Sequence, residues 1–483
     1  MNFKMMGRFL AQIISIEGVF MLPALAISLG YGEWHAVKGF CLTLAIMLVL
    51  GGALFLLCRK AGRLFGAREG FVCVSFSWVT LSLLGALPLF LSGSIPNYID
   101  AVFEIVSGFT TTGASVLSDV ESLAKGLLYW RSFSNWLGGM GVLVFLLAIA
   151  PSGGKGFTMH LLRAESPGPD VGKLTPKMRQ TALTLYLIYF AMTVLCLIFL
   201  LCGGMNLLDA VCTALSTAGT GGFGIRNDSF VGFSPYIQWV TSVFMFLFGI
   251  NFSCYYLILM GQIRGVFKDE ELRLYVVLAV LATALIAWNI LPLCSNLGDA
   301  IRHASFQVST IMTTTGFSSM DFDRWPVFSK TILLLLMLTG GCAGSTAGGL
   351  KLSRLLLLVK SLRRNIRKVL NPSKVQVIRN NGRTVDEQIV DNTNAYLAAY
   401  AIIMVVCFLL LSLDKYDIET NLSATICCFN NIGPGLGAVG PMCNFSGYSD
   451  FSTIVLTLAM LLGRLEIFPM LILLSRSTWK RHS

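Results

Sequence analysis

Charge is scarce in this sequence. Asp, Glu, Lys and Arg together make up 13% of its 483 residues, about half the share a soluble globular chain carries. A water-soluble enzyme or binding module of this size is excluded. Histidine is scarcer still: His35, His160, His303 and His482 lie far apart, so spacing offers no metal site. Thirteen cysteines are scattered without a single CxxC. Most sit inside apolar segments, where a thiol serves as a small core residue. No catalytic dyad, metal spacing or phosphate loop survives its context, so the chain is not read as an enzyme. No covalently bound cofactor is expected.

The chain is instead rich in long apolar runs. Mean hydropathy is +0.73 and 55% of residues are hydrophobic. Runs of about 18 or more apolar residues recur along the whole length, each long enough to cross a bilayer as a helix. Lipid leaves only helices or closed barrels as spanning structures, and these segments are too continuously apolar for barrel strands. The fold class is therefore an all-α polytopic membrane protein with about ten transmembrane spans. The net charge of +11 raises nucleic acid as a partner, but position argues otherwise. With N- and C-termini placed in the cytoplasm, 27 of the 36 Lys and Arg fall on that side, the positive-inside asymmetry. Acidic residues such as Asp100, Glu104, Asp209, Asp299, Asp417 and Glu419 lean to the outer side, where they would concentrate cations.

Residues 1–68 carry two spans, 8–30 and 36–58, closed by the basic cluster Arg59, Lys60, Arg63 and Arg68. From there the chain repeats four times, over 69–165, 166–268, 269–368 and 369–483. Each unit has a long apolar span, a short amphipathic segment, a Thr/Gly stretch and another long span. In unit one these are 70–93, 98–110 and 128–150 around Gly113. Unit two has 180–203, 206–218 and 235–262 around Gly222. Unit three has 272–294, 298–313 and a broken span from about 329 to 362 around Gly316. Unit four has 394–413, 417–430 and 450–475 around Gly433. Ahead of unit four, 374–386 reads as a cytoplasmic hairpin. Val375-Gln376-Val377 alternates, Asn380-Asn381-Gly382 is a turn signal, and Arg383-Thr384-Val385 returns.

The short segments carry the function. Each makes about 20 Å of helix, too short to span and suited to a re-entrant pore helix. Asp100, Asp209, Asp299 and either Asp417 or Glu419 stand where an outer helix start needs a cap. The negative end of each helix dipole then points to mid-membrane and favours a cation there. After each segment comes a polar, glycine-bearing stretch: Thr110–Ser115, Ser216–Gly224, Thr313–Ser318 and Asn430–Gly435. Gly113, Gly222, Gly316 and Gly433 are spaced by 109, 94 and 117 residues. A dehydrated potassium ion needs a ring of oxygens in place of its water, and main-chain carbonyls can supply one. Glycine permits the dihedrals and the close approach. Thr111, Thr112, Gly113, Thr220, Gly221, Gly222, Thr314, Thr315, Gly316, Asn431, Ile432 and Gly433 are read as four quarters of one selectivity filter holding K+ as substrate. Small-residue helix packing would not explain why each stretch follows a half-length helix. Gly219–Gly224 and Gly435–Gly440 satisfy GxGxxG, but a dinucleotide site needs a preceding strand, and apolar helices flank both.

On these stretches the chain resembles the Trk/Ktr/HKT superfamily of potassium transporters, and most closely its TrkH branch. The likeness extends to Trp136-Leu137-Gly138-Gly139-Met140-Gly141, to Gly340–Lys351, to Gly463-Arg464-Leu465-Glu466, and to the extra N-terminal pair of spans. The resemblance implies potassium uptake across a cell (inner) membrane, a homodimer with one pore per subunit, and a cytosolic nucleotide-binding regulator of the TrkA type. It also implies potassium preference from glycine at 113, because serine there goes with sodium selectivity in plant relatives. Unit four departs from the pattern, with Asn430-Asn431-Ile432 where units one and three have three threonines. The alternative function is a sodium- or proton-coupled cation symporter. Such folds show inverted two-part repeats, whereas these four run parallel.

Two further features lie along the expected ion path. Residues 340–349 break the last span of unit three with Gly340, Gly341, Gly344, Gly348 and Gly349 beside Ser345 and Thr346. Each glycine costs a helix about 1 kcal/mol, so an irregular intramembrane gating loop is expected here, ending at Lys351. The competing reading is close helix packing through the overlapping GxxxG motifs of Gly340, Gly344 and Gly348. Arg464 lies mid-span, where a lipid-facing arginine would cost about 2.5–3.5 kcal/mol. It is read as a positive barrier below the filter, with an ion pair to Glu17 or Glu466 as the alternative. Lys351, Arg354, Lys360, Arg363 and Arg364 are expected as solvated charges at an interfacial helix end, or as contacts for a regulator or anionic lipid.

Overall fold

The computed structural model describes residues 3–59, 67–141, 178–373 and 376–479. Helices follow the apolar pattern. α1 (Phe3–Gly30) and α2 (Trp34–Leu57) form a helical hairpin ahead of the repeats. Unit one follows as α3 (Ala67–Leu91), α4 (Tyr98–Phe109) and α5 (Lys125–Gly139). Unit two is α6 (Met178–Cys202), α7 (Leu207–Gly219), α8 (Pro235–Phe248) and α9 (Phe252–Leu259). A short α10 (Ile263–Lys268) leads into unit three: α11 (Glu270–Ile290), α12 (Leu297–Met312), α13 (Val327–Met337) and α14 (Leu352–Leu370). Unit four is α15 (Glu387–Leu411), α16 (Ile418–Phe429), α17 (Asp450–Arg464) and α18 (Phe468–Leu474).

The all-α polytopic class holds, and the half-length helices α4, α7, α12 and α16 start and stop within one residue of the expected segments. Their caps are not the expected aspartates. Asn97, Asn206 and Asn296 occupy the N-cap and accept from the Ile99, Asp209 and Asp299 amides at 2.8–3.0 Å. Asp100, Asp209 and Asp299 sit in the first turn, where they still complement the helix dipole. In unit four Asp417 does hold the N-cap position, without a side-chain bond to the helix.

A second correction concerns the last span of each unit. Only unit three was expected to break. Among the described residues, six helices are long and apolar enough to cross a membrane singly: α1, α2, α3 (from Glu69), α6, α11 and α15. The closing spans of units two, three and four are all interrupted, and the closing helix of unit one ends early. α5 stops at Gly139, and Gly141 turns left-handed at φ 80°. α8 and α9 meet at a 90° bend. α17 and α18 are split where Glu466 and Ile467 take φ 58° and 63°. The cause is close approach. A β-carbon on Gly138 would strike the Phe109 carbonyl, one on Gly463 the Phe429 carbonyl, and one on Gly249 the Tyr275 hydroxyl. At these three glycines the closing helix passes hard against the end of a half-length helix or its neighbour.

The units close in a circle. α5 packs on α7, α8 on α12, α13 on α16, and α17 returns to α4. The N-terminal hairpin is tied on by Glu33, whose carboxylate accepts from the Lys125 amide at 2.6 Å and the Gly126 amide at 3.2 Å. Before unit four, β1 (Arg379–Asn380) and β2 (Arg383–Thr384) pair antiparallel, Arg379 opposite Thr384. Asn381 and Gly382 both take positive φ between them, the type I′ geometry that suits a two-residue hairpin. Ile378 packs with Leu357 and Val390 beneath it. Residues 142–150 of the expected span 128–150, the basic loop up to 177, Lys60, Arg63, Val375, His160 and His482 lie outside the described residues.

Candidate functional site

Each half-length helix ends the same way. The amides of Thr112, Gly221, Thr315 and Ile432 donate to carbonyls five residues back, at 2.7–2.9 Å. The residues just before them, Thr111, Thr220, Thr314 and Asn431, donate three residues back. This is a Schellman ending, whose left-handed position normally belongs to glycine. Here it holds three threonines and an asparagine, at φ 55°, 52°, 57° and 57°. A left-handed residue costs about 1–2 kcal/mol, and such strain gathers at functional sites. Two residues on, Gly113, Gly222, Gly316 and Gly433 are left-handed again, at 81°, 75°, 94° and 101°.

The four strands then meet in a ring. A β-carbon on Gly113 would lie 2.5 Å from the Gly221 carbonyl oxygen, and one on Gly433 would lie 2.7 Å from that of Thr112. Gly222 meets Thr315 and Gly316 meets Ile432 in the same manner. Every glycine thus abuts the residue before the glycine of the next unit, and the fourth returns to the first. All twelve residues expected at the filter fall in these strands. Thr110 and Thr112 share a hydroxyl–hydroxyl bond of 2.8 Å, as do Thr313 and Thr315. In unit four the departure from threonine is accommodated. Asn431 reaches the Thr112 hydroxyl and the Met460 carbonyl, each at 3.0 Å, and Tyr400 holds Asn430 at 2.9 Å.

One side of the ring opens on a vestibule that all four glycines line. At its rim Asp119 accepts from Asn227 at 2.8 Å and from the Glu121 amide at 3.1 Å. The Asn227 bond above all holds that carboxyl below its ordinary range, while the charged side chains lining the vestibule itself are Arg131 and Arg226. Behind the ring lies a buried ion pair. Glu104 accepts from Arg131 Nε at 2.8 Å, from the Ser115 hydroxyl at 3.0 Å and from the Val116 amide at 3.0 Å. Arg131 also lies over the Phe223 ring, 4.2 Å from its centre.

The opposite side of the ring is covered by residues 338–351, which leave the helix between α13 and α14. This favours the irregular loop over helix packing. The Gly348 amide donates to the Thr314 hydroxyl at 2.6 Å, and a β-carbon there would sit 2.9 Å from the Asn430 carbonyl. The Cys342 amide donates to the Gly249 carbonyl and the Phe252 amide to the Gly344 carbonyl, both at 3.0 Å. Thr346 bonds the Phe248 carbonyl. Glu271, at the start of α11, accepts from the Ala343 amide at 2.7 Å and the Ser353 amide at 2.9 Å. The loop therefore touches strand or break residues of units two, three and four.

Arg464 completes the enclosure. It donates to the Thr346 carbonyl at 3.1 Å, to the Gly139 carbonyl at 2.8 Å and to the Gly138 carbonyl. Glu466 pairs with Arg354. Both oxygens of Glu17 are buried against α3 with no hydrogen-bond partner among the described residues. The expected solvated charges need correcting. Lys351 is buried and donates to the Ala347 carbonyl, and Arg354 is buried over the Tyr396 ring. Lys360 pairs with Glu270, and Arg364 pairs with Glu387 at 2.6 Å. Arg363 is exposed.

A family model, TrkH, described as a cation transport protein, matches residues 36–480. The chain belongs to the TrkH family. It is 35% identical to the Trk system potassium uptake protein TrkH of Salmonella typhimurium, over 99% of this chain and 100% of that one. It is 33% identical to TrkG of Escherichia coli, over 98% and 97%. The crystal structure of the potassium transporter TrkH from Vibrio parahaemolyticus superposes with a TM-score of 0.88 at 33% identity, covering 99% and 100%. TrkH-family membership agrees with a transporter rather than an enzyme. Within this TrkH-family chain, sequence reasoning missed Glu271, the Glu104–Arg131 pair and the asparagine caps. Glu104 and Arg131 are 27 residues apart, so spacing alone does not join them. The signal that was available is the cost of a charge in a buried helix, which demands a partner.

Proposed function

We propose that this chain takes up potassium ions across a cell membrane, through the ring of Gly113, Gly222, Gly316 and Gly433 acting as a selectivity filter. The observation that carries this is the closed circuit of contacts in which each glycine meets the preceding-residue carbonyl of the next unit. Left-handed residues alternate along each strand, and that alternation turns successive carbonyls to one side. The oxygens of Thr112, Gly221, Thr315 and Ile432 replace the water of a dehydrated ion. Four half-length helices aim their negative ends at the same centre. The relatives named as potassium uptake proteins support K+ as the ion.

Residues 340–349 act as the gate in this reading. They plug the path under the ring and are held by Thr314, Glu271 and Arg464. Arg464 fixes a positive charge below the ring and slows cations until it moves with the loop. The termini and the 379–384 hairpin face the cytoplasm, which places the vestibule outside. A TrkA-type regulator beneath, a homodimeric assembly and an inner-membrane location rest on the family resemblance. The unit boundaries at 68, 165, 268 and 368 rest on the internal repeat of spans and Thr/Gly stretches in the sequence.

The test is cation flux in liposomes containing the purified protein, with and without an imposed proton gradient. K+ and Rb+ should enter down their own gradients and Na+ should lag well behind. Uptake that appears only with a proton or sodium gradient would favour the coupled symporter instead.

A further inference from the structure

The ring is braced unequally. Nine residues before Gly113, Glu104 takes the hydroxyl of Ser115 and the amide of Val116, the strand just beyond the glycine. Nine residues before Gly316, Gln307 takes the matching place and bonds the Ser318 hydroxyl at 2.8 Å. The equivalent positions in units two and four hold Thr213 and Ala424. So unit one carries a charged strut where unit three carries a neutral one. The charge brings a second contact. Arg131 binds Glu104 through Nε and through a terminal nitrogen at 2.5 Å. Its guanidinium also lies against Phe223, the residue that follows Gly222. The pair therefore ties the strand of unit one to the strand of unit two across their shared edge. Both side chains are almost wholly buried, and one terminal nitrogen of Arg131 has no hydrogen-bond partner among the described residues. A buried pair of this kind is poor value as stability alone, because desolvation offsets the attraction. Its use lies in fixing geometry.

We propose that Glu104 and Arg131 are specificity-determining positioning residues: they set the spacing of the first two strands and so the preference for K+ over Na+, without touching the ion. The proposal rests on the ring being the filter. A small shift there matters because the ring distinguishes two ions that differ mainly in size. If the brace loosens, the strands close on a smaller ion and the discrimination falls, while the path stays open.

The test measures the K+/Na+ permeability ratio in proteoliposomes for Glu104→Gln, Arg131→Lys and the double variant Glu104→Gln/Arg131→Met. Gln is an apt substitute because it keeps an acceptor oxygen for Ser115 and Val116, and unit three already carries Gln307 at the matching place, where its Nε2 donates to the Ser318 hydroxyl. Each folded variant should retain cation flux with a ratio at least fivefold lower than wild type. A merely structural role would lower K+ and Na+ flux together, or lower thermal stability with the ratio unchanged. If the single variants fail to fold, the double variant decides, since it leaves no unpaired buried charge. A selective wild type with a folded double variant of unaltered ratio overturns the brace alone. A wild type that passes Na+ as readily as K+ overturns the brace and the filter together.

Discussion

Glu271→Gln tests the proposed gate with the least disturbance. One carboxylate oxygen accepts two amides, from Ala343 and Ser353, at opposite ends of the loop. The amide substitute keeps the length and the acceptor and removes only the charge. Hydrogen bonds to a charged group contribute about 1.5–3 kcal/mol, and neutral ones about 0.5–1.5 kcal/mol. The closed loop should lose about 1 kcal/mol per bond, or about 2 kcal/mol over the pair. Both bonds cannot persist once 343–353 moves, so the loss falls on the closed state alone. At 1.4 kcal/mol per tenfold, the open population rises by about thirtyfold. The assay is Rb+ uptake into liposomes with no soluble partner present. Basal uptake should rise by roughly ten- to thirtyfold, with Na+ still excluded, because Glu271 bonds the loop and the start of α14 rather than the four strands. A folded, monodisperse variant with wild-type basal uptake would refute the latch.

Other consequences can be measured alongside. Gly113→Ala places a β-carbon 2.5 Å from the Gly221 carbonyl at a φ of 81°; the K+/Na+ ratio from reversal potentials should fall at least tenfold, and an unchanged ratio would contradict the ring. Arg464→Ala removes donors to three carbonyls on two elements; basal flux should rise and the thermal midpoint should drop, whereas loss of stability with no rise in flux would make the arginine purely structural. Asn381→Ala cuts the hairpin tip from Asp269 and from the Glu270 amide, bonds of 2.9 Å each. It should cost about 1 kcal/mol per exposed bond, seen as earlier proteolysis of 376–386, with the ion ratio unmoved.

The sequence carried the half-length helices to within a residue because their ends are marked twice, by a polar start and by a Thr/Gly stop. It carried the break in unit three because five glycines in ten residues defeat a helix. The breaks at Gly249–Asn251 and at Glu466–Ile467 were hidden for the opposite reason. Each turns on one or two residues inside an apolar run, and its cause is a neighbour arriving from another unit. The asparagine caps were masked by aspartates three residues later that also suit a helix start. Lys351 and Arg354 read as solvated because their helix is basic. Their burial follows from Ala347, Glu466 and Tyr396, which only folding brings near. Local signals fixed the elements, and long-range approach fixed the breaks, the brace and the latch.

The central claim is that a dehydrated cation sits between four strands from four units. The most direct measurement is anomalous diffraction from crystals of the protein soaked in Rb+ or Tl+. A peak should appear on the axis framed by Gly113, Gly222, Gly316 and Gly433, within coordinating reach of the Thr112, Gly221, Thr315 and Ile432 carbonyls. Ion density found elsewhere, with none at that centre, would contradict the account.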